Sequence, residues 1–263
     1  MTDSGYEIGY EEAGSAESIP IIFLHGVGSD KSVWRPQLEH FGEERRAIAF
    51  DYPGYGDSDP APEGTTRDDY AAAIISAMHE LGVDRAHICG LSLGGVVAIA
   101  MNHADAGRCA SLILADTFAV HPEGEAIYDR SIAASTDLRA LAEARVNVLL
   151  AQPADPVVRC DVVETMARID PAAYRIGAEA VWLADQVERS DDISVPTLVV
   201  CGTEDKVTPP SLSTALAALI LGARYEPIEG AGHIGNLEKP DQFNVIVSAF
   251  IGEVESRSRE IGS

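Results

Sequence analysis

Cys89-Gly90-Leu91-Ser92-Leu93-Gly94-Gly95 stands between a short apolar run, residues 86–89, and a small-residue helical pattern over residues 93–103. The stretch reads as a strand, a very tight turn and a helix, with Ser92 at the apex. A serine forced into a sparsely populated backbone conformation needs neighbours without side chains where helix and strand nearly touch, and G-x-S-x-G supplies them. Gly90 and Gly94 are those neighbours. The turn holds the hydroxyl clear of the sheet, and the helix behind it directs the positive end of its dipole to the same spot. Ser92 is therefore the expected nucleophile, at a place where a negative oxygen would be stabilised.

The pattern on either side of this turn is strands alternating with helices. Residues 19–24 (Ile-Pro-Ile-Ile-Phe-Leu) form a continuous apolar run, which marks a strand covered on both faces, and end at His25-Gly26-Val27-Gly28. Residues 6–12, followed by Gly14, read as a hairpin arm. A short helix over 34–41, a strand over 46–50, a loop over 51–58 and an alanine-rich helix from Thr66 to Gly82 follow. Beyond the turn, 111–115, 197–201 and 224–228 are further strands, with helices over 211–221 and 240–253 and a frayed polar tail after Glu253. Such alternation implies an α/β protein with a mostly parallel twisted sheet, helices on both faces, and ligands at the carboxyl ends of the strands. Between 118 and 192 the rhythm breaks into helical patterns alone, over 138–150, 157–169 and 172–187. That interval is expected to be a helical cap inserted over the active face, between core parts 1–117 and 193–263.

With 263 residues, 46% of them hydrophobic, the chain can bury one full core that carries an insertion. Forty-two acidic against nineteen basic residues give a charge of −23, which argues against nucleic acid or an anionic membrane as partner. An anionic substrate would need a local basic group, and Arg130, Arg139, Arg145 and Arg175 of the cap interval are candidates. Residues 1–10 hold two acids and no apolar stretch, and no run reaches membrane-spanning length, so neither a secretory signal nor a spanning helix is expected. Cys89, Cys109, Cys160 and Cys201 lack the paired spacing of a metal site and fit free thiols in the cytoplasm. Monomer and homo-oligomer stay open.

A serine hydroxyl needs a base, and the base must be held in one tautomer by a carboxylate. His233 lies in the glycine-rich loop Gly230-Ala231-Gly232-His233 after the last strand and is the expected base. Asp205, in Gly202-Thr203-Glu204-Asp205, gives the chain order Ser, acid, His; Asp116, just past the strand 111–115, is its rival, and Glu204 a third choice. The backbone N–H groups of Val27 and Leu93 are placed to form an oxyanion hole, while Asp51-Tyr52-Pro53-Gly54-Tyr55-Gly56 reads as a loop bracing it. Trp182, Tyr174, Phe118 and Met166 are candidate walls of an apolar substrate pocket.

Those motifs, in that order and spacing, resemble the α/β-hydrolase fold family from end to end. His25-Gly26-Val27-Gly28-Ser29-Asp30 with Trp34, together with the Cys89–Gly95 turn, is most similar to the 3-oxoadipate enol-lactonase branch, whose members open an enol-lactone in aromatic catabolism. The chain departs from that branch at Tyr52-Pro53-Gly54-Tyr55-Gly56, where the branch reads x-Arg-Gly-His-Gly after the aspartate. The resemblance implies a cofactor-free, metal-free serine hydrolase that acts on a lactone or small carboxylic ester through an acyl-enzyme. The rivals are a carbon–carbon bond hydrolase of aromatic ring-fission products, a perhydrolase, and a non-catalytic ligand receptor on the same fold.

Overall fold

A computed structural model describes residues 5–15 and 17–261 of the chain. Its strands are β1 (Tyr10–Ala13), β2 (Ile21–Leu24), β3 (Ala47–Phe50), β4 (Ala86–Leu91), β5 (Cys109–Ala115), β6 (Thr197–Gly202) and β7 (Arg224–Ile228). They make one sheet in the order β1-β3-β2-β4-β5-β6-β7, parallel throughout except for β1, which runs antiparallel to β3. Every residue of β2 to β6 is buried, so both faces of the central sheet are covered, which is why those strands read as unbroken apolar runs. Each large side chain buried this way contributes about 1.5–3 kcal/mol.

The helices of the core are α1 (Arg35–Gly42), α2 (Arg67–Glu80) and α3 (Leu93–Ala104). Between β5 and β6 come α4 (Gly124–Ala134), α5 (Leu138–Leu149), α6 (Pro156–Arg168), α7 (Pro171–Trp182) and α8 (Val187–Asp191). The core resumes with α9 (Pro210–Leu219), α10 (Gly235–Glu238) and α11 (Pro240–Ile261). Local chemistry sets the starts: Thr66 and Asp69 form a capping box on α2, and Asp137, Asp155 and Asp170 each accept backbone N–H groups at the heads of α5, α6 and α7. Pro156 and Pro171 occupy the first helical position, where a missing N–H costs nothing.

Four details differ from the sequence reading. The β1 segment forms no hairpin with β2; its half-exposed Glu11 and Glu12 suit the sheet edge beside β3, while fully apolar β2 takes an inner place. Helix α4 was not expected, and little of it is buried. Helix α7 stops at Trp182 because the chain then turns back: Val120 and Asp185 form a bridge, and Gln186 bonds through its N–H to Ala119 and through Nε2 to the Val96 carbonyl. The tail after Glu253 is not frayed but continues α11 to Ile261. Among the described residues, no helix is long and apolar enough to cross a membrane, and the four cysteines are unpaired, three of them buried.

Candidate active site

Ser92 sits between β4 and α3 at φ 55° and ψ −112°, a region that a residue with a Cβ enters only under strain. Close approach explains the glycines: a Cβ on Gly90 would lie 2.1 Å from the Gly94 carbonyl oxygen, and one on Gly94 2.1 Å from that of Leu24. The segment after β5 pins the turn, because the Ser92 N–H donates to the Ala115 carbonyl at 2.9 Å and Thr117 Oγ1 donates to the Ser92 carbonyl at 2.9 Å. The Ser92 hydroxyl makes no cap hydrogen bond to α3, so it is not consumed by its own helix. Leu93 is the first residue of α3, and its N–H has no carbonyl one turn earlier to bond.

His233 and Asp205 come together as a buried pair, with His233 Nδ1 2.8 Å from Asp205 Oδ2. Asp205 is held by three more donors: the N–H groups of Val207 and Thr208 reach Oδ1 at 2.7 and 3.0 Å, and Thr208 Oγ1 reaches Oδ2 at 2.7 Å. Burial pushes the Asp205 carboxyl up, but His233 and the Thr208 hydrogen bonds outweigh it and hold the group below the ordinary carboxylate range. Asp116, also in left-handed backbone at φ 47°, accepts the Gly202 N–H at 2.9 Å on Oδ1, and its Oδ2 has no partner among the described residues. Burial, reinforced by the charge of Asp205, pushes the Asp116 carboxyl well above the ordinary range. Asp116, Asp205 and His233 offer ligand atoms within 4.8 Å of one another, the spacing of a metal cluster. Asp205 Oδ2 and His233 Nδ1 are nonetheless bonded to each other, the arrangement of a proton-sharing pair. Glu204 takes no part in these contacts.

Opposite Ser92, the first three carbonyls of the loop after β2 are tied down. Tyr52 Oη donates to the His25 carbonyl and Tyr55 Oη to that of Val27, each at 3.2 Å, while Gly26 O lies 2.8 Å from His25 Nδ1. Burial keeps both phenols protonated and therefore able to donate. Asp51, at the start of the bracing loop, accepts the Lys31 N–H at 2.8 Å and Lys31 Nζ at 2.6 Å.

Ser92, His233, Gly26 and Val27 line one narrow cavity of about 50 Å³, closed over by Arg145, Leu149, Val162, Met166, Tyr174 and Trp182 from the helices between β5 and β6. Of the expected wall residues, Tyr174, Trp182 and Met166 face it; Phe118 does not, being fully buried and stacked on Trp182 with ring centroids 5.9 Å apart. Of Arg130, Arg139, Arg145 and Arg175, Arg145 alone lines this cavity, while Arg139 is paired with exposed Glu164. Sequence reasoning missed Thr208, whose spacing three residues after Asp205 is that of a side chain closing back on an aspartate turn. It also missed the donor roles of Tyr52 and Tyr55, for which the pattern gave no signal.

Residues 21–245 match the profile of the Alpha/beta hydrolase family. The "3-oxoadipate enol-lactonase 1" of Acinetobacter baylyi is 28% identical over 247 residues, 89% of this chain and 89% of that protein. The crystal structure of the enol-lactonase from Burkholderia xenovorans LB400 superposes with a TM-score of 0.88 at 31% identity, covering 95% of this chain and 98% of that one. A thermophilic esterase from Thermogutta terrifontis gives 0.88 at 26% identity, covering 96% and 97%.

Proposed function

Because this chain belongs to the alpha/beta hydrolase family, we propose that it is a serine hydrolase of lactones or small carboxylic esters. The observation that carries the reading is the buried Asp205–His233 pair, at 2.8 Å, opening onto the same cavity as a serine held in strained backbone. With Nδ1 committed to Asp205, His233 has Nε2 left to take the Ser92 proton as Oγ attacks the acyl carbon. The Val27 and Leu93 N–H groups receive the oxyanion, and the α3 dipole adds to them. His233 returns the proton to the leaving oxygen, which in a lactone stays tethered to the acyl group, and then activates a water that frees Ser92. Residues 118–192 act as the cap, excluding bulk water and shaping the acyl pocket with Tyr174 and Trp182.

The enol-lactonase and esterase similarities support a cyclic or short linear ester as substrate, and so does the narrowness of the cavity. The test is hydrolysis of p-nitrophenyl acetate and butyrate beside an enol-lactone and a saturated lactone, with Ser92→Ala as control. Turnover that Ser92→Ala abolishes is the expected result, and the ratio of lactone to ester rates assigns the class. A folded protein inert toward all four would overturn the reading in favour of carbon–carbon hydrolysis or ligand reception.

A further inference from the structure

His233 is carried by the loop between β7 and α10, so the place of its ring depends on how that backbone is anchored. One side is tied to the loop that carries Asp205. The Thr203 N–H donates to the Ile228 carbonyl at 3.0 Å, the Gly230 N–H to Thr203 Oγ1 at 2.9 Å, and the Glu204 N–H to the Ala231 carbonyl at 2.8 Å. Gly202 lets the two loops close, since a Cβ there would lie 2.1 Å from the Gly232 carbonyl oxygen. The other side leans on the end of α5. The His233 N–H donates to the Leu149 carbonyl at 2.7 Å, and a Cβ on Gly232 would fall 2.6 Å from both the Leu149 carbonyl oxygen and the Ala151 nitrogen.

Across this second contact the N–H groups of Gly232 and Ala151 converge on one side chain. Glu238 accepts the first on Oε1 at 2.9 Å and the second on Oε2 at 2.7 Å. Its position runs against local rules. Glu238 is the last residue of α10, where a helix presents carbonyls rather than N–H groups, and it is half-buried, so that burial pushes its carboxyl above the ordinary range. The hydrogen bonds that favour its charge come from backbone, from Ala151, Gly232 and Ile234. Two of those three residues flank His233, and the third follows α5, whose last residue, Leu149, lines the catalytic cavity. A charge kept at such a cost marks a place where local stability is given up for the site.

We propose that Glu238 is a positioning residue for the base: by gathering the Gly232 and Ala151 N–H groups on one carboxylate it fixes the His233 backbone, and with it the ring that serves Ser92. The proposal rests on the hydrolase reading above. Glu238 meets no reacting atom and acts through the amide that precedes His233. Without it the loop keeps its ties to the Asp205 side and loses a support on the α5 side, so the ring shifts against both Asp205 and Ser92.

The test measures kcat and KM of Glu238→Gln and Glu238→Ala on one ester, with folding checked by circular dichroism. Glutamine keeps the size but accepts from one amide only, and alanine accepts from neither. The expected result is a graded loss of kcat, about tenfold for Gln and about a hundredfold for Ala, with KM little changed. Glu229→Gln, the same charge change at an exposed position of the same loop, should leave both constants alone. Proton NMR adds a readout independent of turnover: the His233 Nδ1–H resonance, identified by its absence from His233→Gln, should move in both Glu238 variants and stay in place in Glu229→Gln. Folded Glu238 variants with wild-type kcat, or a loss confined to KM, overturn the proposal and leave the hydrolase reading standing. If the alanine variant does not fold, the glutamine variant decides by the same criteria. If wild type turns over no ester, the hydrolase reading falls and the resonance decides: a shift in Glu238→Gln supports the positioning role, and an unmoved resonance refutes it.

Discussion

Asp116 and Asp205 bury their carboxyl groups at the ends of adjacent strands, within 4.8 Å of each other and of the His233 ring, yet the first is pushed well above the ordinary carboxylate range and the second is held below it. The difference lies in their partners. Asp205 is met by His233 and by three hydrogen bonds from Val207 and Thr208, whereas Asp116 has the Gly202 N–H on Oδ1 and, among the described residues, no hydrogen-bond donor on Oδ2. Two like charges this close in a dry site cannot both be carried, and the better-partnered group keeps its own.

Kinetics should separate the two. Asp205→Asn is expected to lower kcat by about four orders of magnitude, by analogy with the serine-protease triad, because an amide stabilises the wrong tautomer of the base. Asp116→Asn removes a charge that burial already opposes and should cost less than about tenfold, the scale of one neutral hydrogen bond. Steady-state rates on any turned-over ester decide it, and the opposite ranking would make Asp116 the acid.

Asp116 also sets a pH dependence of stability. Its pKa is raised on folding, so its contribution is whole below the ordinary aspartate range, about 3.9, and drains away as pH rises toward the folded value. Asp116→Asn removes that loss. It should melt above wild type at pH 8, by about 2–4 °C per kcal/mol relieved, with the gap closing toward pH 4. A gap that is constant with pH would mean that Asp116 is not held protonated.

Ser92 holds strain that glycine would release. At φ 55° and ψ −112° a side chain costs about 1–3 kcal/mol, and alanine keeps that cost while glycine does not. Both Ser92→Ala and Ser92→Gly should be inactive, but the glycine variant should have the higher Tm by differential scanning calorimetry, after about 0.4–1 kcal/mol of unfolded-state entropy is offset. Equal melting would place no strain at this turn.

Tyr55 reaches the proposed oxyanion loop through the Val27 carbonyl, at 3.2 Å. Tyr55→Phe should lower kcat about fivefold, one neutral hydrogen bond, with KM little changed. Gly177→Ala should act on the same contact from behind, since its Cβ would fall 2.0 Å from Tyr55 Oη. Comparing the two variants on one ester tests whether they share a mechanism; an unchanged kcat in both would detach Tyr55 from catalysis.

Much of this was readable from the chain. The turn around Ser92 and the loops carrying Asp205 and His233 are local patterns whose glycines are demanded by close backbone approach, and such demands leave a mark at fixed spacing. The covered strands β2 to β6 declared themselves by unbroken apolar runs. What escaped was set by distant packing: the partner of β1, the largely unburied helix α4, and the phenols of Tyr52 and Tyr55 reaching back to carbonyls 27 and 28 residues away.

One joint ties the helices between β5 and β6 to the histidine loop. The His233 N–H donates to the Leu149 carbonyl at 2.7 Å, and Glu238 accepts both the Ala151 N–H at 2.7 Å and the Gly232 N–H at 2.9 Å. The end of α5 and the histidine loop are thus stitched together, so a displacement of the end of α5 would pull on the His233 backbone. An exchange of the helices between β5 and β6 with those of a related protein then has a natural boundary: the seam at Leu149 and Ala151 must travel with the histidine loop, or His233 loses its backbone anchor.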